Sequence, residues 1–255
     1  MKWDDGLNKI FEIQENIKDI HPFIEKLFPV TVAENNKIFI FEPELKEKKY
    51  VFVKEANAPL EIPRGARSAF LLECYKNKVS CVITSEAFDN PFGYVAIFHE
   101  FMHCMQYELC EIRIKNNLKI FQKAILEKNF NWELDYPFLY NNLEFENAYS
   151  SFLKSVYDKN FEDISKNRKL LRKILNYEDF EYMVIQEWKE GFARFIENKI
   201  SERLGFKENR YGSVKPFTRI SFYVGGEGYI KFLTAIEPDL AVEIEKLFYK
   251  MMSQQ

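Results

Sequence analysis

The sequence predicts an α+β protein in which the sheet comes first and helices dominate afterwards. Alternation of apolar and polar residues, typical of strands, is confined to the first 110 or so residues, and helical spacing prevails from about residue 111. The chain has 255 residues, of which 47% are hydrophobic and 29% charged, as in ordinary globular proteins. We therefore expect a single domain over 1–255, with an α/β part followed by a helical part.

The α/β part is predicted to contain a broken helix and two hairpins. Apolar residues recur at helical spacing over residues 7–28, with an interruption at Pro22. His21, at this break, is interpreted as a capping or surface residue rather than a metal ligand. Period-two alternation over 37–54 and again over 69–84 predicts two hairpins, and hence an antiparallel sheet.

The rest of the chain is predicted to be nearly all helical. Apolar periodicity indicates helices over residues 112–127, 143–158, 162–175, 178–199, 215–235 and 236–252. Two segments, 128–142 and 205–217, carry the aromatic, glycine and proline residues of loops. We expect the rings of the first loop to cover the core.

Composition excludes several classes of function. The net charge of −3 gives no basis for a nucleic-acid partner. No run approaches the 18 apolar residues of a membrane span, and the amino terminus lacks the apolar stretch of a signal peptide. The four cysteines lack the spacing of a zinc site and are expected to be free, buried thiols. These features favour a cytoplasmic location and no membrane partner.

A zinc-binding motif lies between the two parts. His99 and His103 are separated by one helical turn, so both imidazoles project from the same face and can bind one Zn²⁺. Glu100 stands where the H-E-x-x-H pattern has the carboxylate that deprotonates a metal-activated water. The surrounding residues are apolar, and burying these three side chains is costly unless a partner such as a metal ion satisfies them.

A catalytic zinc normally has three protein ligands, so a third residue is needed. Glu190 is favoured because Gly191, beside it, would let its helix approach the H-E-x-x-H helix closely. Glu146 remains an alternative, since it also has a small residue nearby. Glu197 lies two turns after Glu190 on the same face, where it can accept a hydrogen bond from a ligand imidazole.

Together these motifs resemble the gluzincin group of zinc metallopeptidases. The stretch from Lys189 to Glu197 is similar to the N-E-G-F-A-x-x-x-E signature of the M1 aminopeptidases, with Lys189 in place of Asn. The resemblance implies a zincin-like fold, with the sheet packed on the H-E-x-x-H helix. It also implies Zn²⁺ bound by His99, His103 and Glu190. The resemblance also implies that Glu100 is the catalytic acid/base, and that Glu197 accepts a hydrogen bond from one of the metal-binding imidazoles. The G-x-M-E-N segment of those enzymes is absent, so aminopeptidase activity is not implied.

The resemblance also implies an electrophile on a later helix. Gluzincins often use Tyr or His to stabilise the oxyanion, and here Tyr223 matches a Y-x-x-G step after the glutamate helix. Tyr211 and Tyr229 are alternatives. The expected reaction is hydrolysis of a peptide or protein substrate.

Two further expectations concern the substrate and the activity. From its position just before the motif, Val79–Thr84 is predicted to be an exposed sheet edge to which a peptide adds as a strand. The alternative functions are a zinc-binding or peptide-binding protein without catalysis, and a metal-free interaction module that retains the motif.

Overall fold

A computed structural model of the protein describes residues 2–253. In this part of the chain there are ten α-helices and five strands. The strands are β1 (Val30–Glu34), β2 (Lys37–Glu44), β3 (Lys49–Asn57), β4 (Arg67–Leu72) and β5 (Lys78–Thr84). The helices are α1 (Asp4–Ile17), α2 (Pro91–Gln106), α3 (Ile112–Asn116), α4 (Lys119–Glu127), α5 (Trp132–Asp135), α6 (Leu143–Tyr157), α7 (Phe161–Ile174), α8 (Tyr177–Arg203), α9 (Ser221–Ile236) and α10 (Ile244–Ser253). This is the predicted α+β order, with the sheet in the first half.

The residues cluster into two compact units. The first unit comprises the chain up to Glu108 together with Ile196–Glu208, and it contains the whole sheet. The second unit comprises Leu109–Phe195 and the chain from Asn209 onward, and it is helical. The long helix α8 supplies residues to both units.

The sheet of the first unit is mixed, which corrects the prediction of an antiparallel sheet. Its strand order is β3-β2-β1-β5-β4, and β1 runs parallel to β5 with Val30 opposite Cys81. The other pairings are antiparallel, including both predicted hairpins. The sequence prediction missed β1, because this short central strand is buried on both faces and lacks the alternation that marks β2.

The prediction that Val79–Thr84 forms a sheet edge is wrong. This segment belongs to β5, which is paired on one side with β1 and on the other with β4. The described edges of the sheet are β3 and β4. The run from Val79 onward is buried at every position, as expected of an interior strand.

Helix α2 carries the H-E-x-x-H motif and packs against β4 and β5. Its start follows from local sequence: the Asn90 side chain caps the Gly93 amide, and Pro91 occupies the first turn, where no backbone donor is needed. Gly93 is required there, because a Cβ at this position would overlap the carbonyl of Ala87. After Gln106 the helix widens into a π turn, Tyr107–Glu111, a feature often found near functional sites.

The helices of the second unit agree with the predicted periodicity, except at four places. The expected helix over 112–127 is broken near Asn117 into α3 and α4, the helix expected from residue 215 starts at Ser221, and the last helix starts only at Ile244, after a short 3₁₀ turn. The segment 128–142, predicted to be a loop, contains the short helix α5. Within residues 2–253, none of the helices is long and apolar enough to cross a lipid bilayer. All four cysteines are free, but Cys74 is exposed rather than buried.

Glycines bring α8 and α9 into backbone contact in the second unit. A Cβ on Gly191 would lie 2.6 Å from the backbone of Gly226, and a Cβ on Gly226 would overlap the backbone of Glu187. The atoms nearest to Gly191 therefore belong to α9, whereas the sequence prediction had assigned this glycine to the approach of the H-E-x-x-H helix. Because Glu187 and Glu190 lie on the same helix, this contact fixes the segment of α8 that carries Glu190.

We expect Gly226→Ala to destabilise the protein more than Gly228→Ala on the same helix. A methyl group at Gly226 meets the Glu187 backbone, whereas at Gly228 it meets Cγ1 of the Val156 side chain, and displacing one side chain costs less than shifting a helix backbone. Overpacking of a rigid contact costs about 1–3 kcal/mol, partly offset by the better helix propensity of Ala. The measurement is the free energy of unfolding in urea. Equal stabilities of the two variants would contradict the account of this contact.

Candidate metal centre

His99 and His103 converge on a single point. Both side chains are buried, and their Nε2 atoms lie 3.2 Å apart. The two rings are nearly perpendicular, with centroids 4.9 Å apart. The convergence follows from their i,i+4 spacing on α2.

The outer nitrogens of both imidazoles are held by acceptors. His99 Nδ1 lies 2.7 Å from Glu197 Oε2 on α8. His103 Nδ1 lies 2.9 Å from Gln106 Oε1, three residues later on α2. A carboxylate or amide oxygen in this position accepts the Nδ1 proton and so fixes the tautomer. Each Nε2 is then left with a lone pair.

With the protons on Nδ1, the two Nε2 atoms direct their lone pairs toward a common point, where a metal ion can be bound. Two nitrogens bound to one tetrahedral zinc at about 2.0–2.1 Å are about 3.3 Å apart. The 3.2 Å separation of the Nε2 atoms fits that geometry closely. The donor set also fits, because neutral imidazoles oriented by acceptors at Nδ1 are common zinc ligands.

Glu190 joins the histidines. In the described part of the chain, the one group of three potential metal ligands is His99, His103 and Glu190, with ligand atoms all within 4.8 Å of one another. The rival ligand Glu146 lies elsewhere and pairs with Lys215 at 2.9 Å. Two imidazoles and one carboxylate are a ligand set of catalytic zinc sites, which keep a fourth position for water or substrate.

The Glu190 carboxylate has a polar environment within the second unit. Its Oε1 lies 3.4 Å from Arg219 Nη1, which also donates to Gln186 Oε1 at 3.2 Å. A distance of 3.4 Å is long for an ion pair of this kind, for which about 2.7–2.9 Å is usual. Arg219 therefore contributes only weakly to the orientation of Glu190.

Tyr223 lies within hydrogen-bonding reach of Glu190 and Arg219. Burial raises the pKa of its phenol well above the usual value, and the Glu190 carboxylate adds to the rise. The neutral phenol is thus a hydrogen-bond donor at any physiological pH. The alternatives differ in their surroundings: Tyr211 is 72% exposed, and Tyr229 is buried in the core of the second unit.

Glu100 is a buried acid with no partner among the described residues. Only 8% of the residue is exposed, and no hydrogen bond or ion pair to its carboxylate occurs within residues 2–253. Its sequence position between the two histidines is that of the general base in the H-E-x-x-H pattern.

A buried charge network adjoins Glu190 on α8. Lys189 Nζ lies 2.9 Å from carboxylate oxygens of both Glu111 and Glu133, and Lys115 pairs with the same two acids. Burial alone would raise the pKa of Glu133, but the charges of Lys189 and Lys115 outweigh it and lower this pKa to about 2. Lys189 stands where the aminopeptidase signature has Asn, and here it ties α8 to the π turn and to α5.

Sequence reasoning missed two polar residues of this region. Gln106 had a usable signal, because it follows His103 by three residues and so lies on the same face of α2. Arg219 had none: it precedes α9 in a loop, 29 residues after Glu190, and only the folded chain brings the two together.

No protein-family model, no curated protein and no solved structure matches the chain. The likeness to gluzincins stays a prediction from motifs, and the functional argument rests on the geometry of the site.

Replacing Glu197 with Gln should weaken zinc binding about 10- to 100-fold, as is typical when the residue orienting a ligand imidazole is changed. The dissociation constant is measured by competition with a chromogenic chelator. Glu202→Gln, at an exposed position on the same helix, is the matched control and should leave affinity unchanged. Equal zinc affinities of the two variants would show that the His99–Glu197 contact does not contribute to metal binding.

Proposed function

We propose that the protein is a zinc-dependent metallopeptidase that hydrolyses peptide bonds in the cytoplasm. The observation that carries the proposal is the pair of Nε2 atoms 3.2 Å apart, each on an imidazole whose Nδ1 is held by an acceptor, with Glu190 in the same group. The four free thiols agree with a reducing compartment.

In this proposal His99, His103 and Glu190 hold the zinc. When bound, zinc supplies a Lewis acid that acidifies water and polarises the scissile carbonyl. Two neutral imidazoles and one carboxylate leave the site with a net positive charge, which favours that chemistry.

Glu100 is the general base. Its carboxylate takes a proton from the attacking water and then delivers it to the leaving nitrogen. Burial and the lack of a hydrogen-bonding partner among the described residues leave both oxygens available for this transfer.

Tyr223 is proposed to stabilise the negative charge that develops on the carbonyl oxygen. A neutral phenol, kept protonated by burial, donates a hydrogen bond without itself carrying charge. Its interactions with Glu190 and Arg219 restrict the orientation of the ring.

The substrate is proposed to lie along β4 instead of β5. β4 is an edge strand paired only with β5, and α2, which carries the motif, packs against it. A peptide added to β4 gains backbone hydrogen bonds independent of its sequence.

Glu100→Gln tests the proposed reaction. The variant should retain one zinc per chain by elemental analysis and lose at least about 100-fold in kcat, since its amide cannot transfer the proton. The measurement is cleavage of a peptide library followed by mass spectrometry, with and without chelator. Glu12→Gln, exposed on α1, is the control. A zinc-loaded wild-type protein that cleaves no peptide would favour the non-catalytic alternative.

Tyr223→Phe tests the proposed electrophile. Loss of the hydroxyl should lower kcat about 10- to 1000-fold, as with other oxyanion-stabilising groups, while the zinc dissociation constant changes by less than about twofold. A variant that loses zinc affinity in proportion to activity would instead assign Tyr223 to the orientation of Glu190.

A further inference from the structure

Arg219 has hydrogen-bonding capacity that its surroundings do not use fully. A guanidinium carries five N–H donors. The contacts of Arg219 are Nη1 to Gln186 at 3.2 Å and to Glu190 at 3.4 Å, together with a Tyr223 hydroxyl within reach. Both measured distances are at or beyond the long end of the usual range.

The buried Arg168 of the same unit differs from Arg219 in its access to solvent. Arg168 is fully buried and pairs closely with the fully buried Glu187, although its Nε and Nη2 atoms have no hydrogen-bond partner in the described part of the chain. Arg219, by contrast, keeps 27% of its side chain exposed, and its carboxylate partner within residues 2–253 is Glu190 at 3.4 Å. A ligand from solvent can therefore reach the Arg219 guanidinium.

The position of Arg219 is fixed by the Tyr223 ring. The guanidinium carbon of Arg219 lies 5.3 Å from the ring centroid, and that of Arg194 lies 5.5 Å from it. Cation–π contacts of this kind orient the planar group and reduce the entropy lost on binding a ligand.

From this arrangement we infer that Arg219 binds a carboxylate of the peptide substrate, next to the metal ligand Glu190. This inference rests on the proposed function. A metal ion that neutralises Glu190 removes the counter-charge of Arg219, and a substrate carboxylate replaces it. The planar fork of arginine matches a carboxylate with two parallel hydrogen bonds. That carboxylate belongs either to the peptide's carboxyl terminus or to an Asp or Glu side chain.

The test measures equilibrium binding to zinc-loaded Glu100→Gln protein, so that no turnover is needed. Three probes are compared by isothermal titration: an N-acetylated hexapeptide of uncharged residues with a free carboxyl terminus, its carboxamide, which is neutral, and the carboxamide with one internal glutamate. At least one carboxylate-bearing probe should bind about 10- to 100-fold more tightly than the neutral amide, as expected for a charge-assisted pair. The probe with that advantage identifies the source of the carboxylate.

Arg219→Gln, added to this protein, should abolish that advantage and leave binding of the neutral amide within about twofold. Arg219→Lys keeps the positive charge but loses the planar pair of donors, so this variant should retain part of the binding advantage. The matched control is Arg113→Gln, because Arg113 pairs with Glu245 at an exposed position of the same unit. Thermal denaturation checks that each variant is folded.

Three results would overturn the inference: equal binding of all three probes by the parent protein, an advantage that survives Arg219→Gln, or equal weakening of every probe by that change. Failure of the proposed function is separate. It would appear as absence of cleavage by the wild-type protein, whatever the binding preference.

Discussion

Two imidazole nitrogens that face each other at 3.2 Å are the constraint on which the functional account depends. Glu197 and Gln106 accept from the opposite sides of these rings, so the facing atoms His99 Nε2 and His103 Nε2 carry lone pairs. A cation bound between the rings would stabilise this arrangement. The contacts of α2 with the sheet and the position of Glu197 on α8 all preserve this geometry.

Helix α8, which supplies the Glu190 carboxylate, is held both by close backbone contacts and by buried ion pairs. Gly226 lets α9 touch the backbone of α8, which sets the position of the helix at the level of the main chain. Lys189 ties the same segment to two buried acids. Against these rigid contacts, the interaction of Glu190 with Arg219 is long and partly exposed. The region thus combines a backbone fixed by close contacts with a longer and partly exposed ion pair.

Sequence reasoning succeeded where local spacing carries the information. The i,i+4 histidines, the two hairpins and most helices of the second half follow from periodicities of four or two residues. It failed where long-range packing determines the structure. Strand β1 is buried on both faces and so shows no alternation. Because β1 pairs with β5, the strand that was expected at the edge of the sheet lies in its interior. Arg219 lacked any local signal, because its place beside Glu190 depends on the approach of the loop before α9 to α8.

X-ray absorption at the zinc edge of the purified protein tests the central claim most directly. The account predicts one zinc per chain with a shell of nitrogen and oxygen atoms only, at about 2.0–2.2 Å, including the scattering pattern of two imidazoles. Replacing Glu190 with Gln should change the oxygen contribution and leave both imidazoles. Absence of zinc, or a sulfur ligand at about 2.3 Å, would contradict the assignment.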